Sequence, residues 1–358
     1  MLRFLHTADW QLGKPFGQFP DELSGRLSAA RIEAVARIAD AAEVRNIRHV
    51  LVAGDVWDSE LPARPSIAQP FEIMGAAPDV HWWLIPGNHD PARAHGLWDK
   101  LDAPKNVHLL TTAEPRQMED GVWLLPAPWT TRMPGRDLTQ AFDTMQTPDG
   151  ALRIGIAHGG TVDFAQEAQS ATIADTRVQS ARLDYLALGD WHGVLQVNNR
   201  CWYSGTPEPD RFPRNRPGRV LDVTVRSGEL PRVEEIEIGE YHWHRVERDV
   251  TAGEDVLAEV KAALTATLRK TLLRTELRGA LPRAEQVELE AGLKALSGRM
   301  AHWRDRNALR TLWAGEDLDA LDLSGSVRVA AETLRADNDD VSEMALALLF
   351  DIAEGVDA

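Results

Sequence analysis

The chain has 358 residues, 44% of them hydrophobic and 26% charged, an ordinary globular balance with apolar material for two domains. No apolar run approaches the roughly 20 residues that a bilayer span needs, so no membrane-spanning helix is expected among these residues. A formal net charge of −16 argues against a broad basic surface, and a single cysteine, Cys201, excludes an internal disulfide and a cysteine-built metal site.

The opening "MLRFLHTADWQLG" is too short and too polar after Leu5 for a signal peptide. It reads as a first strand over 2–7, and the expectation is a cytoplasmic chain without a membrane partner. "LSAARIEAVARIADAAEVR" follows, with Ile32, Val35, Ile38, Ala39 and Ala42 at helical spacing, and predicts a crossover helix. Short apolar runs at 49–54, 80–87, 122–128, 153–159 and 184–190 each stop at Gly, Pro or a polar residue and predict buried strands. Strand–helix–strand alternation argues for a layered α/β fold. After Gly193 the runs "VLQVNN", "CWYSG", "GRVLDVTVRSG" and "RVEEIEIGE" predict consecutive strands, a β-rich edge that closes the first domain near Gly239. Cys201 in that stretch reads as a buried strand residue.

From Tyr241 the pattern becomes a small β-α-β-α-β unit, with strands in "YHWHRVERDV", "KTLLRTELRGAL" and "AHWRDRNALRTLW" and helices between them. The last stretch predicts two helices split by "RADNDD". The expected organisation is thus a first domain over 1–240, an α+β domain over 241–315 and a helical segment over 316–358.

Chemistry-bearing residues recur where the predicted strands end, the place where α/β sheets put their ligands. In order these are Asp9 and Gln11 in "HTADWQLG", Asp55 and Asp58 in "AGDVWD", and Asn88, His89 and Asp90 in "GNHD". His158 follows in "AHGG", then Asp190 and His192 in "GDWHG". Any one is a weak signal, since a strand-end histidine is usually structural. The ordered set is strong. His6 reads as a hydrogen-bonded strand residue, and Trp10, Trp57 and Trp191 as walls of the site. Asp58 reads as a loop-fixing residue, and the His242–His244 pair as structural for want of acidic or cysteine partners.

This set resembles the calcineurin-like metallophosphoesterase signature, D-x-H, GDxxD, GNHD/E, a lone His, then GHxH. The wording "HTADWQLG", with a following small domain and terminal helices, is most similar to the SbcD-type nuclease subunits of double-strand-break repair. The resemblance implies a layered metallophosphoesterase β-sandwich flanked by helices, a smaller α+β capping domain and C-terminal helices. It implies two divalent ions, manganese first and magnesium or iron next, cutting DNA phosphodiester bonds. Asp9, Gln11, Asp55 and His192 would hold one ion; Asp55, Asn88, His158 and Asp190 would hold the other. A bridging carboxylate suits Asp55 because it offers two oxygens and a negative charge between two cations.

By the same resemblance His89 stabilises the phosphate or protonates the leaving alkoxide, and an imidazole can do either near neutral pH. Asp90 then orients His89 or tightens the turn. Two departures stand out: Gln11 replaces the His of D-x-H, and Asp190 replaces the first His of GHxH. Both shift the donors toward oxygen and favour manganese or magnesium over zinc.

The loop "GTPEPDRFPRNRPGR" offers Arg211, Arg214 and Arg216 as candidates for a nucleic-acid backbone, against the reading of an ordinary solvated loop. The resemblance also implies an SMC-like coiled-coil ATPase as partner, docked on apolar residues of the terminal helices, beside DNA; intramolecular packing and a homodimer remain open. Two further readings stay open: a phosphoesterase for nucleotides or other small phosphorylated compounds, and a non-catalytic metal-binding scaffold.

Overall fold

The computed structural model describes residues 1–161, 172–212, 215–264, 267–312, 325–337 and 339–353. It divides into two compact units, Met1–Tyr241 and His242–Ala358. No described helix is long and apolar enough to cross a membrane.

The first unit begins with β1 (Leu2–Thr7), α1 (Asp21–Val44), β2 (His49–Ala53), α2 (Pro65–Ala76), β3 (His81–Ile85) and β4 (Val107–Leu109). It continues through β5 (Arg116–Glu119), β6 (Val122–Ala127), β7 (Leu152–His158), α3 (Arg177–Ser180) and β8 (Tyr185–Gly189). β9 (Leu195–Asn198), β10 (Cys201–Tyr203), β11 (Arg219–Val225) and β12 (Arg232–Glu237) complete it. Two six-stranded sheets result, ordered β12-β11-β1-β2-β3-β4 and β5-β6-β7-β8-β10-β9.

Alternation along the strands builds the layers. In β1, Leu2 and Phe4 face the core between the sheets, while Leu5 faces the core under α1 and α2. α1 buries Leu23, Leu27, Ala34, Val35 and Ile38 on that outer layer. Phe142, Val178 and Leu183 cover the far face of the second sheet with Leu125, Leu186 and Leu188.

The structure corrects the sequence reading in several places. α1 starts at Asp21, six residues before the predicted Leu27, because the acidic first turn and Leu23 extend the helix. α2 went unread, as did β4 and β5. The strands after Gly193 do not form one edge. β9 and β10 extend the second sheet, whereas β11 pairs antiparallel with β1 and carries β12 on the first.

In the second unit, β13 (His242–Val250), β14 (Thr271–Pro282), β15 (His302–Asp305) and β16 (Ala308–Leu312) form a parallel sheet around β14. α4 (Val256–Ala263) and α5 (Arg283–Ser297) pack on it through Val256, Val260, Leu289 and Leu293. The predicted third strand is thus two strands. The break falls at Arg306 and Asn307, where the Asn307 side-chain oxygen takes the Leu277 N–H at 2.9 Å in place of a backbone carbonyl. Two helices follow, Gly325–Asp337 and Asp340–Ala353.

Candidate metal centre

The C-terminal ends of β1, β2, β7 and β8 converge. Asp9, Asp55 and His158 each turn one donor atom into a common space, all three atoms within 4.8 Å of one another and all three residues buried. Among the described residues no other trio of His, Cys, Asp or Glu does so. The backbone is bent to achieve this: Asp9 has φ 55° and Asp55 φ 52°, left-handed values that aspartate tolerates better than most residues. The Asp9 N–H donates to the Gly54 carbonyl at 3.0 Å, locking the two strand ends together.

His158 is held from behind. Nδ1 lies 2.9 Å from the Ala53 carbonyl, and Nε2 lies 2.9 Å from Asn88 Oδ1, 3.5 Å from Asp55 Oδ1 and 3.8 Å from Asp190 Oδ1. Burial opposes charge on this ring, yet Asp55, Asp9 and Asp190 outweigh it and raise the imidazole to about 9. Burial likewise pushes the Asp9 carboxyl up to about 6, with the charges of Asp55 and Asp190 adding to it against the pull of His192 and His158. Carboxylates crowded away from water call for positive charge. The donor set, mostly oxygen with imidazole, fits a hard or borderline divalent ion.

Asp55 is the hub. Its Oδ1 accepts the His89 N–H at 3.0 Å, and its Oδ2 stands 3.4 Å from Gln11 Nε2 and 3.9 Å from His89 Nε2. Asp190 lies at the rim with φ 103°, its N–H 3.1 Å from both carboxylate oxygens of Asp9. His192 Nε2 is 4.0 Å from Asp9 Oδ1, while Nδ1 is 3.2 Å from Asp210 Oδ1. Asp210 is a residue the sequence reading missed as part of the site. Burial works against its charge, but His192, Arg31 and Lys14 hold its carboxyl far below the usual carboxylate range. A carboxylate at that distance fixes the orientation of the His192 ring.

Other expectations need correction. Asp90 does not touch His89. Fully buried, it accepts the Gly87 N–H at 2.7 Å and the Trp57 N–H at 3.1 Å, so it tightens the turn. The Asp58 carbonyl holds His89 instead, 3.0 Å from Nδ1, and Asp58 thereby fixes the loop through its backbone. Gln11 is buried, but its oxygen faces Lys14 Nζ at 2.6 Å. Trp10 and Trp57 sit in the core beneath α1 and α2, behind the site, whereas Trp191 is 37% exposed.

Arg211 reaches the centre, pairing with Asp210 at 3.2 Å and placing Nη2 3.0 Å from His192 Nδ1, whereas Arg216 pairs with Glu235 at 2.8 Å. Arg214 lies outside the described residues. His6 is buried between Tyr185 Oη and the Leu188 carbonyl, 3.1 Å from each, and Cys201 is buried in β10. His242 and His244 lie on β13 and acquire no third ligand among the described residues.

A family model of calcineurin-like phosphoesterases matches residues 2–228, the span that supplies Asp9, Asp55, Asn88, His89, His158, Asp190, His192 and Asp210. The chain belongs to the calcineurin-like phosphoesterase family. Its first unit is the layered α/β sandwich of that family, flanked by helices. Among curated relatives, the uncharacterized metallophosphoesterase YhaO of Bacillus subtilis is 26% identical over 202 residues, 53% of this chain and 48% of the relative. The SbcD subunit of nuclease SbcCD from Rhodobacter capsulatus is 32% identical over 31% of this chain and 27% of its own. Its namesake from Staphylococcus epidermidis is 23% identical over 62% of this chain and 66% of its own. The matched region thus spans about half the length of the Bacillus relative and about a quarter of the Rhodobacter one.

Proposed function

We propose that this phosphoesterase hydrolyses DNA phosphodiester bonds with two divalent cations, manganese first, as a cytoplasmic nuclease subunit beside an SMC-like ATPase. The observation that carries it is the buried convergence of Asp9, Asp55 and His158 donor atoms within 4.8 Å. Asp9, Gln11, Asp55 and His192 would hold one cation, and Asp55, Asn88, His158 and Asp190 the other. When bound, such ions polarise a phosphoryl oxygen and lower the pKa of water.

The protein's own residues do the rest. The Asp58 carbonyl can only accept, so His89 Nδ1 carries a hydrogen and Nε2 is left for the substrate side. The His89 side chain is 39% exposed; when the ring is doubly protonated, Nε2–H can donate to a phosphate oxygen and pass its proton to the departing alkoxide, leaving a neutral ring with its hydrogen on Nδ1. Arg211, exposed beside His192, offers a guanidinium to a phosphate.

The two relatives named nuclease subunits support DNA over other diesters. The net charge of −16 favours the second reading, a small phosphorylated substrate. Manganese-reconstituted protein, incubated with end-labelled DNA and with a chromogenic diester, separates them. DNA cleavage is expected, and Asp55→Ala should lower it by about 10²–10³-fold or more. Diester cleavage without DNA cleavage overturns the nuclease reading, and inactivity on both leaves a metal-binding scaffold.

A further inference from the structure

We propose that Lys14 makes the two cation positions unequal, so that one divalent ion binds tightly and the other weakly. The proposal rests on the two-position reading above and concerns a residue that reading does not use. Lys14 Nζ lies 2.6 Å from Gln11 Oε1, 2.9 Å from Asp210 Oδ2 and 3.7 Å from Asp58 Oδ1. A turn brings it there: the Lys14 N–H donates to the Gln11 carbonyl at 3.1 Å, and Gly13 between them holds φ 84°.

The chemistry of the neighbours sets the orientation of the Gln11 amide. An ammonium only donates, so it must face the amide oxygen; the Asp55 carboxylate only accepts, so it must face the amide nitrogen, 3.4 Å away. The oxygen is the one atom through which glutamine ligates a metal. With Lys14 on it, a divalent ion on its remaining lone pair would place two positive charges against one oxygen.

Lys14, together with Arg211 at 3.2 Å from Oδ1, offsets the charge of Asp210, the carboxylate behind His192. That lessens the polarisation of the His192 ring. Gln11 and His192, like Asp9, belong to the first position alone. Among the contacts of Lys14 described above, none involves Asn88, His158 or Asp190, which belong to the second. Lys14 holds Gln11 Oε1 and Asp210 at once, so it touches the first position through two of its ligands, Gln11 directly and His192 by way of Asp210, and acts as a positioning residue.

The test is manganese binding to the full chain, followed by calorimetry and by electron paramagnetic resonance. The wild type should bind one Mn2+ tightly and a second at least about tenfold more weakly. At one equivalent the spectrum should be that of an isolated ion, with exchange coupling only near saturation. Lys14→Met should strengthen the weak site, close most of the gap and bring coupling in at lower manganese, while Lys14→Arg should keep the gap. An unchanged tight affinity and urea midpoint show that each variant is folded, and Lys14→Gln serves as a second neutral variant. Two equal sites in the wild type, or an unchanged gap in both neutral variants, would overturn the proposal. Binding of no manganese at all would overturn the phosphoesterase centre along with it.

Discussion

Asp9, Gln11, Asp55 and Asp190 have φ of 55°, 42°, 52° and 103°, so the chain turns through left-handed backbone wherever it delivers one of these side chains. Such angles cost about 1–3 kcal/mol each and persist where the surroundings enforce them. Gly54 shows how tight that enforcement is. It has φ 89°, and a Cβ there would stand 2.3 Å from His158 Nδ1. Gly54→Ala should therefore push the imidazole off the Ala53 carbonyl, with a loss of hydrolysis of about 10²-fold from misplacement. Steady-state kinetics with saturating manganese checks this, and near wild-type turnover would show that His158 has room to move. The ligand-bearing residues could be recognised in the sequence because each ends an apolar run, and Asp9, Asp55 and His158 do meet. Lys14 and Asp210 could not. Their roles come from proximity across the fold, and nothing near "GKP" or "EPDR" marks either side chain.

Elements show the same division. Strands β1, β2, β3, β6, β7 and β8 could be read because buried strands are short, apolar and sharply bounded. α2 hid behind Pro65 and Pro70, residues that usually signal breaks; Pro65 stands at the first helical turn, where no N–H is needed. β4 and β5, of 3 and 4 residues, are too short for a period to show. Between elements, His6 ties β1 to β8. Burial lowers its imidazole to about 3 from an ordinary 6.5, against a small upward pull from the Leu188 carbonyl. The unfolded chain thus takes up a proton below pH 6.5 that the folded chain refuses. The contribution to stability is full above 6.5 and is lost as pH falls toward 3. Between pH 7 and pH 5 this one group should cost about 2 kcal/mol. Urea unfolding at both values checks it: His6→Gln should lose that much less than the wild type, and parallel losses would assign the acid sensitivity to other groups.

At the scale of the whole molecule, the first unit carries the site and the second has its own sheet and core. The helices Gly325–Asp337 and Asp340–Ala353 pack on each other through Ala331 and Phe350, yet leave Val329, Met344 and Ile352 more than 60% exposed. Exposed apolar side chains on adjacent helices suit a partner surface. In the ATPase-partner reading, removing residues 326–358 should abolish capture of a co-expressed SMC-like ATPase while leaving diester hydrolysis within about twofold. Retained capture would move the docking surface elsewhere. Whether β9–β12 form one edge or two was a question of pairing between distant segments, and hydrophobic alternation is blind to partners.

Apolar periodicity and punctuation in the chain were sufficient to set which residue types stand at which strand ends, because local burial imposes a period and a stop. Which atoms of those residues face one another was settled only by folding. A ligand set is a matter of ångströms between residues more than a hundred positions apart, and only the fold shows a lysine ammonium on the amide oxygen of Gln11.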